Sequence, residues 1–172
     1  MSPTRNIWDA ESTQHSHGEH FEARTAPLAD RLGAKQIGAN VTRVPPGKAA
    51  WPFHHHFANE EHFFIVRGTG TLRLAAATHP VKPGDYIVSP AGGPELAHQL
   101  INTGAEELVY LALSTKSTPE VVGYPDTGKT GVATLAPDGS RQRFLVEDRL
   151  RDTKAYWEGE DGAKVRAIAK SD

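Results

Sequence analysis

The fold of this chain can be inferred by working outward from one stretch, Phe53-His54-His55-His56-Phe57-Ala58-Asn59-Glu60-Glu61. In an extended strand, side chains two residues apart point to the same face. His54 and His56 are therefore predicted to point together, whereas His55 points away. A turn after the triplet can bring Glu61, which opens the next predicted strand, back beside the two imidazoles.

A fourth side chain of the same kind is His98, which follows the Gly92-Gly93 turn. Three imidazoles and one carboxylate suit a borderline divalent metal such as Fe, Mn, Ni, Zn, Cu or Co. Four protein ligands on an octahedral metal leave two positions open for water or a substrate. The chain has no cysteine, the residue that closed structural sites more often use. We therefore predict one divalent transition metal per chain, held by His54, His56, Glu61 and His98.

The choice of carboxylate has an alternative, because Glu60 lies next to Glu61. Alternation along the strand favours Glu61 if Glu61, Phe63 and Ile65 all face the interior. A histidine triplet can also be a surface accident, and that interpretation would be preferred if Glu61 and His98 were absent. The full set of residues favours the metal site.

The other histidines are given less specific roles. His55 and His62 are expected to face outward or to lie behind the ligands. His79, which precedes Pro80, is expected in a loop. Residues 14–20 contain three histidines but no apolar periodicity, so they are predicted to form a solvated, partly ordered arm.

Composition restricts the class of protein. The chain has 172 residues, enough for one domain with extensions, and its 16 glycines and 12 prolines suit the many turns of an all-β fold. The net charge is −2 without a basic stripe, which argues against nucleic-acid binding. No segment approaches the about 20 apolar residues of a membrane span, and the first ten residues do not resemble a signal peptide. We therefore expect no membrane partner and a cytoplasmic location.

Short apolar segments alternate with glycine- and proline-containing turns, as in sandwiches and barrels. They predict strands at 36–44, 61–67, 71–74, 86–88, 97–101 and 107–114. Accordingly, the chain is divided into an N-terminal arm (1–34), a β-barrel (35–116) and a C-terminal extension (117–172) that packs on the barrel or on a partner subunit. Within the extension, helical spacing over 146–157 predicts a short helical segment.

The strand 107–114 is apolar on both faces, which alternate as Leu108, Tyr110, Ala112 and Val109, Leu111, Leu113. A small barrel has only one interior, so the second face needs another layer, either a second sheet or a subunit. A homodimer is the economical hypothesis for that layer.

Two patterns in the chain resemble the motifs of the cupin family. The first, G-x5-H-x-H-x(3,4)-E-x6-G, is matched by Gly47, His54, His56, Glu61 and Gly68. The second, G-x5-P-x-G-x2-H-x3-N, is matched by Gly84, Pro90, Gly92, His98 and Asn102. Six residues rather than five precede His54, and five rather than two separate Gly92 from His98 (four if Gly93 is the equivalent glycine). Both insertions fall at turns, and the resemblance covers about residues 36–114.

The resemblance implies a double-stranded β-helix, the jelly-roll barrel of cupins, that is often dimeric and holds its metal deep inside. It also implies that Gly68, Gly84 and Asn102 are structural turn residues. The tail is similar to that of bacterial single-domain cupins with a Tyr-Pro-Asp-[Ser/Thr]-Gly-Lys loop, here residues 124–129, and a Tyr-Trp pair, here Tyr156-Trp157. Some members of that group are labelled sugar-phosphate isomerase-like.

The sequence thus favours an enzyme that acts on a small molecule through isomerase- or dioxygenase-type chemistry. The alternative is a non-catalytic cupin that binds or senses a small ligand. A positioned acid or base would distinguish between reaction types. Tyr86, Tyr110, His62 and Gln99 are the candidates near the motifs, with no direction assigned to their side chains.

Overall fold

The computed structural model describes residues 3–136, 138 and 140–147, and it is built almost entirely of β-strands. The strands in this part of the chain are β1 (Thr13–His17), β2 (Phe21–Pro27), β3 (Ile37–Val44), β4 (His55–His56), β5 (Glu61–Arg67), β6 (Gly70–Leu74), β7 (Ala77–Val81), β8 (Tyr86–Ser89), β9 (His98–Ile101), β10 (Leu108–Thr115), β11 (Glu120–Tyr124), β12 (Lys129–Leu135) and β13 (Arg141–Glu147). Two 3-10 turns, Asp30–Leu32 and Pro94–Leu96, interrupt them. No helix among the described residues is long and apolar enough to cross a bilayer.

The strands form three antiparallel groups that wrap around one interior. Their orders are β1-β2-β3-β10-β5-β8, β13-β12-β11-β4 and β7-β6-β9. The six strands predicted from the sequence are all present, with ends within one or two residues of those expected. The all-β, double-stranded β-helix prediction is therefore confirmed.

The barrel interior is filled by side chains from the inner faces of several strands. Ile65 and Leu108 are fully buried, and Tyr110 is 1% exposed. The buried cluster comprises Ala23, Val44, Ala50, Phe63, Ile65, Leu72, Val81, Leu100, Leu108 and Tyr110. Burial of Phe63 and Ile65 fixes the parity of β5, so Glu61 also points inward.

The outer face of β10 is covered in part by the chain itself. Val109 and Val41 are fully buried there, under a second apolar cluster that includes Ala10 and Leu28. The sequence had suggested a dimer partner as the missing layer, but the N-terminal segment supplies much of it. The apolar second face of β10 therefore does not by itself require a second subunit.

The N-terminal segment is solvated over residues 14–20, as expected, but it is more ordered than the arm that was predicted. Residues 13–27 form a hairpin in which β2 pairs with β3, extending the six-stranded sheet. Ala23 and Ala26 are fully buried on opposite faces of β2, Ala23 in the barrel cluster and Ala26 in the outer cluster. Two alanines three residues apart give no alternating hydrophobic signal, which explains why the hairpin was not predicted.

Two further expectations change. His79 was expected in a loop but lies in β7, an edge strand, where Pro80 is tolerated because one side of the strand has no partner strand. Val146, the first residue of the predicted helical segment, belongs to β13. The rest of that segment, from residue 148 onward, lies outside the described residues.

Candidate metal centre

The predicted ligands come from three segments, of which those of His54 and His98 pair with each other, whereas Glu61 lies in β5 between β8 and β10. His54 and His98 form an antiparallel bridge, with N···O distances of 3.2 and 2.8 Å between their backbones. His56 ends β4, and Glu61 is the first residue of β5. Backbone pairing thus fixes the positions of the ligand residues before their side chains make any contact.

The three imidazoles converge on one carboxylate oxygen, Oε2 of Glu61. Glu61 Oε2 lies 3.0 Å from Nε2 of His98, 3.4 Å from Nε2 of His56 and 3.5 Å from Nε2 of His54. Two donors that are each about 2.1 Å from a metal, at right angles, stand about 3 Å apart. The separations therefore match adjacent positions on one metal ion. The ligand atoms of His54, Glu61 and His98 all lie within 4.8 Å of one another.

The electrostatics of the centre favour an ionised carboxylate. Burial alone raises the pKa of Glu61, but its interactions with the imidazoles of His54, His56 and His98 outweigh burial and hold that pKa well below its usual value. A carboxylate that stays charged is the form that binds a cation.

Hydrogen bonds at Nδ1 of His54 and His98 indicate which nitrogen of these two imidazoles is free for a metal. Nδ1 of His54 lies 2.8 Å from the carbonyl oxygen of Pro52, and Nδ1 of His98 lies 3.3 Å from that of Leu96. A protonated Nδ1 leaves Nε2 as the donor to a metal. Both nitrogens of His56 are buried and without a hydrogen-bond partner. An orphaned buried Nε2 beside two other imidazoles and a carboxylate fits a bound divalent metal.

Glu60 and His62, by contrast, face away from the centre. Glu60 Oε1 lies 2.7 Å from Nε2 of His62, and Nδ1 of His62 lies 2.7 Å from the hydroxyl of Tyr86. Tyr86 is 61% exposed on the outer face of β8. The structure therefore does not bring the candidates His62 and Tyr86 to the imidazole cluster.

Of the remaining candidates, Tyr110 points into the barrel. It packs edge-on against Phe63, with ring centroids 5.8 Å apart, and it is hydrogen-bonded to Thr42. Burial, with a contribution from the negative charge of Glu61, raises the pKa of Tyr110 well above its usual value. Its phenol therefore stays protonated over the ordinary pH range. Gln99 is buried too, and its amide donates to the carbonyl oxygen of Trp51 at 2.9 Å.

His55 was expected to face outward, and it does point away from the ligands, but it is only 4% exposed. Its Nδ1 lies 2.8 Å from the carbonyl oxygen of Gly92, and β11 covers its other side. A Cβ atom at Gly123 would overlap the imidazole, so β11 can pair with β4 only because that residue is glycine. The covering strand lies beyond the cupin-like region, which is why the sequence did not reveal it.

The loop at residues 124–129 lies against the site. The Tyr124 ring stacks on His54, with centroids 6.2 Å apart and an interplanar angle of 27°. Its hydroxyl accepts a hydrogen bond from Arg143, and Asp126 pairs with Arg73. The loop identified from its resemblance is therefore part of the wall next to His54.

The residues implied to be structural occupy turns. Gly68 and Gly84 have φ angles of 77° and 93°, which glycine adopts without strain. Asn102 is fully buried, and its amide donates to the carbonyl oxygens of Val44 and Glu106 at 2.8 and 2.7 Å. These contacts tie together the ends of β3, β9 and β10.

Comparison with known proteins agrees with this architecture. The family model described as the cupin domain matches residues 40–114, the region that contains all four converging side chains. The chain belongs to the cupin superfamily. A solved cupin structure, that of a candidate sugar phosphate isomerase from Acidithiobacillus ferrooxidans, superimposes with a TM-score of 0.68 at 25% identity, covering 86% of this chain and 88% of that one.

Two curated plant proteins are similar to this cupin. Auxin-binding protein 1 of Arabidopsis thaliana is 33% identical over 101 residues, 55% of this chain and 50% of that protein. Auxin-binding protein T92 of Nicotiana tabacum is 30% identical over 131 residues, 71% of this chain and 68% of that protein. The cupin thus spans about half the length of the Arabidopsis relative.

One charged residue near the centre was not predicted at all. Glu120, at the start of β11, is only 3% exposed, and its Oε1 lies 3.7 Å from Nδ1 of His56. It belongs to neither cupin motif. Its one sequence signal is a lone acidic residue before the apolar pair Val121-Val122, which is common at strand ends.

Proposed function

We propose that this cupin is a metal-dependent enzyme that acts on a small molecule, with His54, His56, Glu61 and His98 as the ligands of one divalent transition metal. The supporting observation is the convergence of three imidazole Nε2 atoms within 3.5 Å of a single Glu61 oxygen. Three neutral imidazoles and one carboxylate leave a net positive charge on a divalent ion, so it can still attract an electron-rich ligand.

Isomerisation of a hydroxy-carbonyl compound is the reaction that we favour. A divalent metal bound here would supply a Lewis acid for a carbonyl or hydroxyl oxygen. Within the barrel, Tyr110 provides a protonated phenol, and apolar side chains such as Phe63 and Leu72 limit access of water. Support for isomerisation over oxygenation comes from the similarity to the Acidithiobacillus protein, which is described as a candidate sugar phosphate isomerase.

This function is tested in two successive steps, first by metal content and then by turnover. Untagged protein should contain about one metal per chain, and the exchange of His54 and His98 for alanine should abolish metal retention. Metal-loaded protein should then interconvert aldose and ketose phosphates in a coupled assay. Turnover by the double variant, or full metal retention, would refute the ligand set. Oxygen consumption with diketones, without isomerase activity, would favour the oxygenase branch instead.

A non-catalytic binding role is the second candidate, because the two curated relatives are named auxin-binding proteins. Metal-loaded cupin should then bind auxin in a calorimetric titration and turn over none of the carbonyl compounds tested. Binding that persists after removal of the metal would show that the metal is not the anchor for the ligand.

We also propose a homodimer. The outer face of β5 and β8 keeps an apolar patch that the N-terminal segment does not bury, in which Phe64 is 38%, Val88 45% and Tyr86 61% exposed. Phe64 and Tyr86 are cross-strand partners, so the patch is continuous. Sedimentation equilibrium of the wild type and of Phe64→Glu should give a dimer and a monomer, respectively. A monomeric wild type would remove this proposal.

A further inference from the structure

The three imidazoles of the centre differ in what faces their Nδ1 atoms. His54 and His98 each have a neutral backbone carbonyl at that position, at 2.8 and 3.3 Å. His56 has no hydrogen-bond partner at Nδ1, and the group facing that atom is the carboxylate of Glu120, 3.7 Å away. His56 is therefore the only one of the three with a negative charge facing its Nδ1 atom.

Glu120 is held in position by the turn that separates the ligand segments. Its Oε1 accepts hydrogen bonds from the backbone amides of Phe57 and Ala58 at 3.1 and 3.4 Å, and its Oε2 accepts one from the side-chain amide of Asn59. The oxygen that faces His56 is thus the oxygen fixed by two amides of the same turn. A side chain fixed in this way has little freedom to point elsewhere.

The surroundings of Glu120 give the carboxylate one basic neighbour. Among the ion pairs of the described residues, the only one that includes Glu120 is that with His56. The carboxylate is 3% exposed, and a buried charge is costly unless it is paired or hydrogen-bonded. Three neutral donors meet part of that need, and a protonated Nδ1 on His56 would meet the rest.

We infer that Glu120 is a positioning residue for the metal centre, its carboxylate facing an N–H at Nδ1 of His56 while Nε2 of His56 binds the metal. This inference rests on the proposed metal site and goes beyond its four ligands. A carboxylate behind a ligating imidazole fixes its tautomer and orientation and makes it a stronger donor. His56 is then the most electron-donating of the three imidazoles, and β11, outside both motifs, becomes part of the centre.

The same contacts also connect Glu120 to the turn that sets the spacing between His56 and Glu61. Asn59 connects Glu120 to Ser117, whose amide donates to Asn59 Oδ1 at 2.6 Å, and to Thr115, whose hydroxyl donates to that same oxygen at 2.9 Å. The turn between His56 and Glu61 is therefore tied to the segment that leads into β11. A test must separate this scaffolding from the effect on His56.

The decisive measurement is Zn²⁺ affinity by competition with a chelator, which needs no turnover. Glu120→Gln keeps the size of the side chain and one acceptor oxygen but removes the charge. We expect its Zn²⁺ affinity to fall about 10- to 100-fold, as for other outer carboxylates of metal-bound histidines. The matched control is Thr115→Val, which breaks a bond of the same turn without touching Glu120 or His56, and it should leave the affinity within about twofold.

A double-mutant cycle shows whether Glu120 acts through His56. In the His56→Ala background, Glu120→Gln should change Zn²⁺ affinity by no more than about twofold, because the group it positions is gone. The Co²⁺-loaded Glu120→Gln protein should also show a shifted d–d absorption spectrum relative to wild type, whereas Co²⁺-loaded Thr115→Val, which disturbs only the turn, should show the wild-type spectrum.

Several outcomes would overturn the inference. They are an unchanged affinity in Glu120→Gln, an equal loss in Thr115→Val, and an undiminished effect of Glu120→Gln without His56. If Glu120→Gln fails to fold, Glu120→Asp, which keeps the charge but withdraws it from His56, should weaken Zn²⁺ binding, and full affinity would refute the role. A wild type that binds no Zn²⁺ refutes both proposals, whereas Zn²⁺ binding without turnover affects only the enzymatic one.

Discussion

Arg73 and Asp126 form two parallel hydrogen bonds, 2.6 and 2.8 Å long, between β6 and the loop that follows β11. The guanidinium of Arg73 also lies 3.7 Å from the centre of the Phe53 ring. A paired arginine stacked on an aromatic ring is held in one orientation. This pair thus holds the loop next to His54 against β6, which belongs to a different sheet from β11.

Loss of this pair should loosen the loop more than it destabilises the fold. The pair is partly exposed, and such pairs contribute about 0.2–1 kcal/mol. We therefore expect Asp126→Asn to lower the free energy of unfolding by less than about 1 kcal/mol, while amide hydrogen exchange at residues 124–129 becomes faster. Asp30→Asn, which breaks a surface pair with Lys116 far along the chain, is the control and should leave that exchange unchanged.

The same pair gives a pH dependence with a defined sign. Hydrogen bonding to Arg73 lowers the pKa of Asp126. Its contribution is therefore complete above the usual aspartate pKa of about 3.9 and is lost as the pH falls through the lower folded value. The protection factors of residues 124–129 against amide exchange should fall below about pH 4 in the wild type but not in Asp126→Asn. Protection that is already lost at neutral pH in the wild type would contradict the assignment.

Gly123→Ala should strongly destabilise the protein. The added methyl group would overlap the imidazole of His55, which is buried and cannot move aside freely. Overpacking of this kind costs about 1–3 kcal/mol, measurable by urea denaturation. Gly131→Ala is the matched control on the paired strand, where the nearest atom is a flexible leucine methyl 3.1 Å away. Equal losses in the two variants would mean that the contact with His55 is unimportant.

The adjacent glutamates should respond differently to the same change. Glu61→Gln removes the charge that faces three imidazoles, and we expect Zn²⁺ affinity to fall by at least about 100-fold, more than loss of an outer carboxylate causes. Glu60→Gln should retain wild-type affinity, because Glu60 pairs with His62 on the outer face. Metal content and chelator competition measure both. Equal affinities in the two variants would contradict the strand parity that places Glu61, and not Glu60, beside the imidazoles.

Tyr110→Phe tests the one catalytic candidate that faces the interior. Removal of the hydroxyl leaves Thr42, which is 1% exposed, without its partner, so stability should fall by about 1–3 kcal/mol. If Tyr110 donates a proton to the substrate, kcat should fall while Zn²⁺ affinity stays unchanged. Loss of stability with full kcat would leave Tyr110 a core residue only.

The sequence predicted those parts of the structure that depend on local pattern. The parity of Glu61, Phe63 and Ile65 predicted that Glu61 rather than Glu60 lies beside the imidazoles, and the turn after Gly68 was recognised from its glycines. Glu120 could not be predicted, because its distance from His56 is set by the pairing of β11 with β4, a contact between residues far apart in the chain. The N-terminal hairpin was missed because β1 is exposed throughout and β2 buries single alanines on opposite faces.

The position of Glu120 outside both motifs also bears on how related chains are classified. Two cupins can share every motif histidine and glutamate, yet differ in whether a carboxylate stands behind the second imidazole of the triplet. A comparison restricted to residues 40–114 would group them together. On the role that we infer for Glu120, sorting such chains by the residue that opens the strand over His55 would instead separate those with a carboxylate behind the second imidazole from those without one, and we expect the two groups to differ in metal affinity.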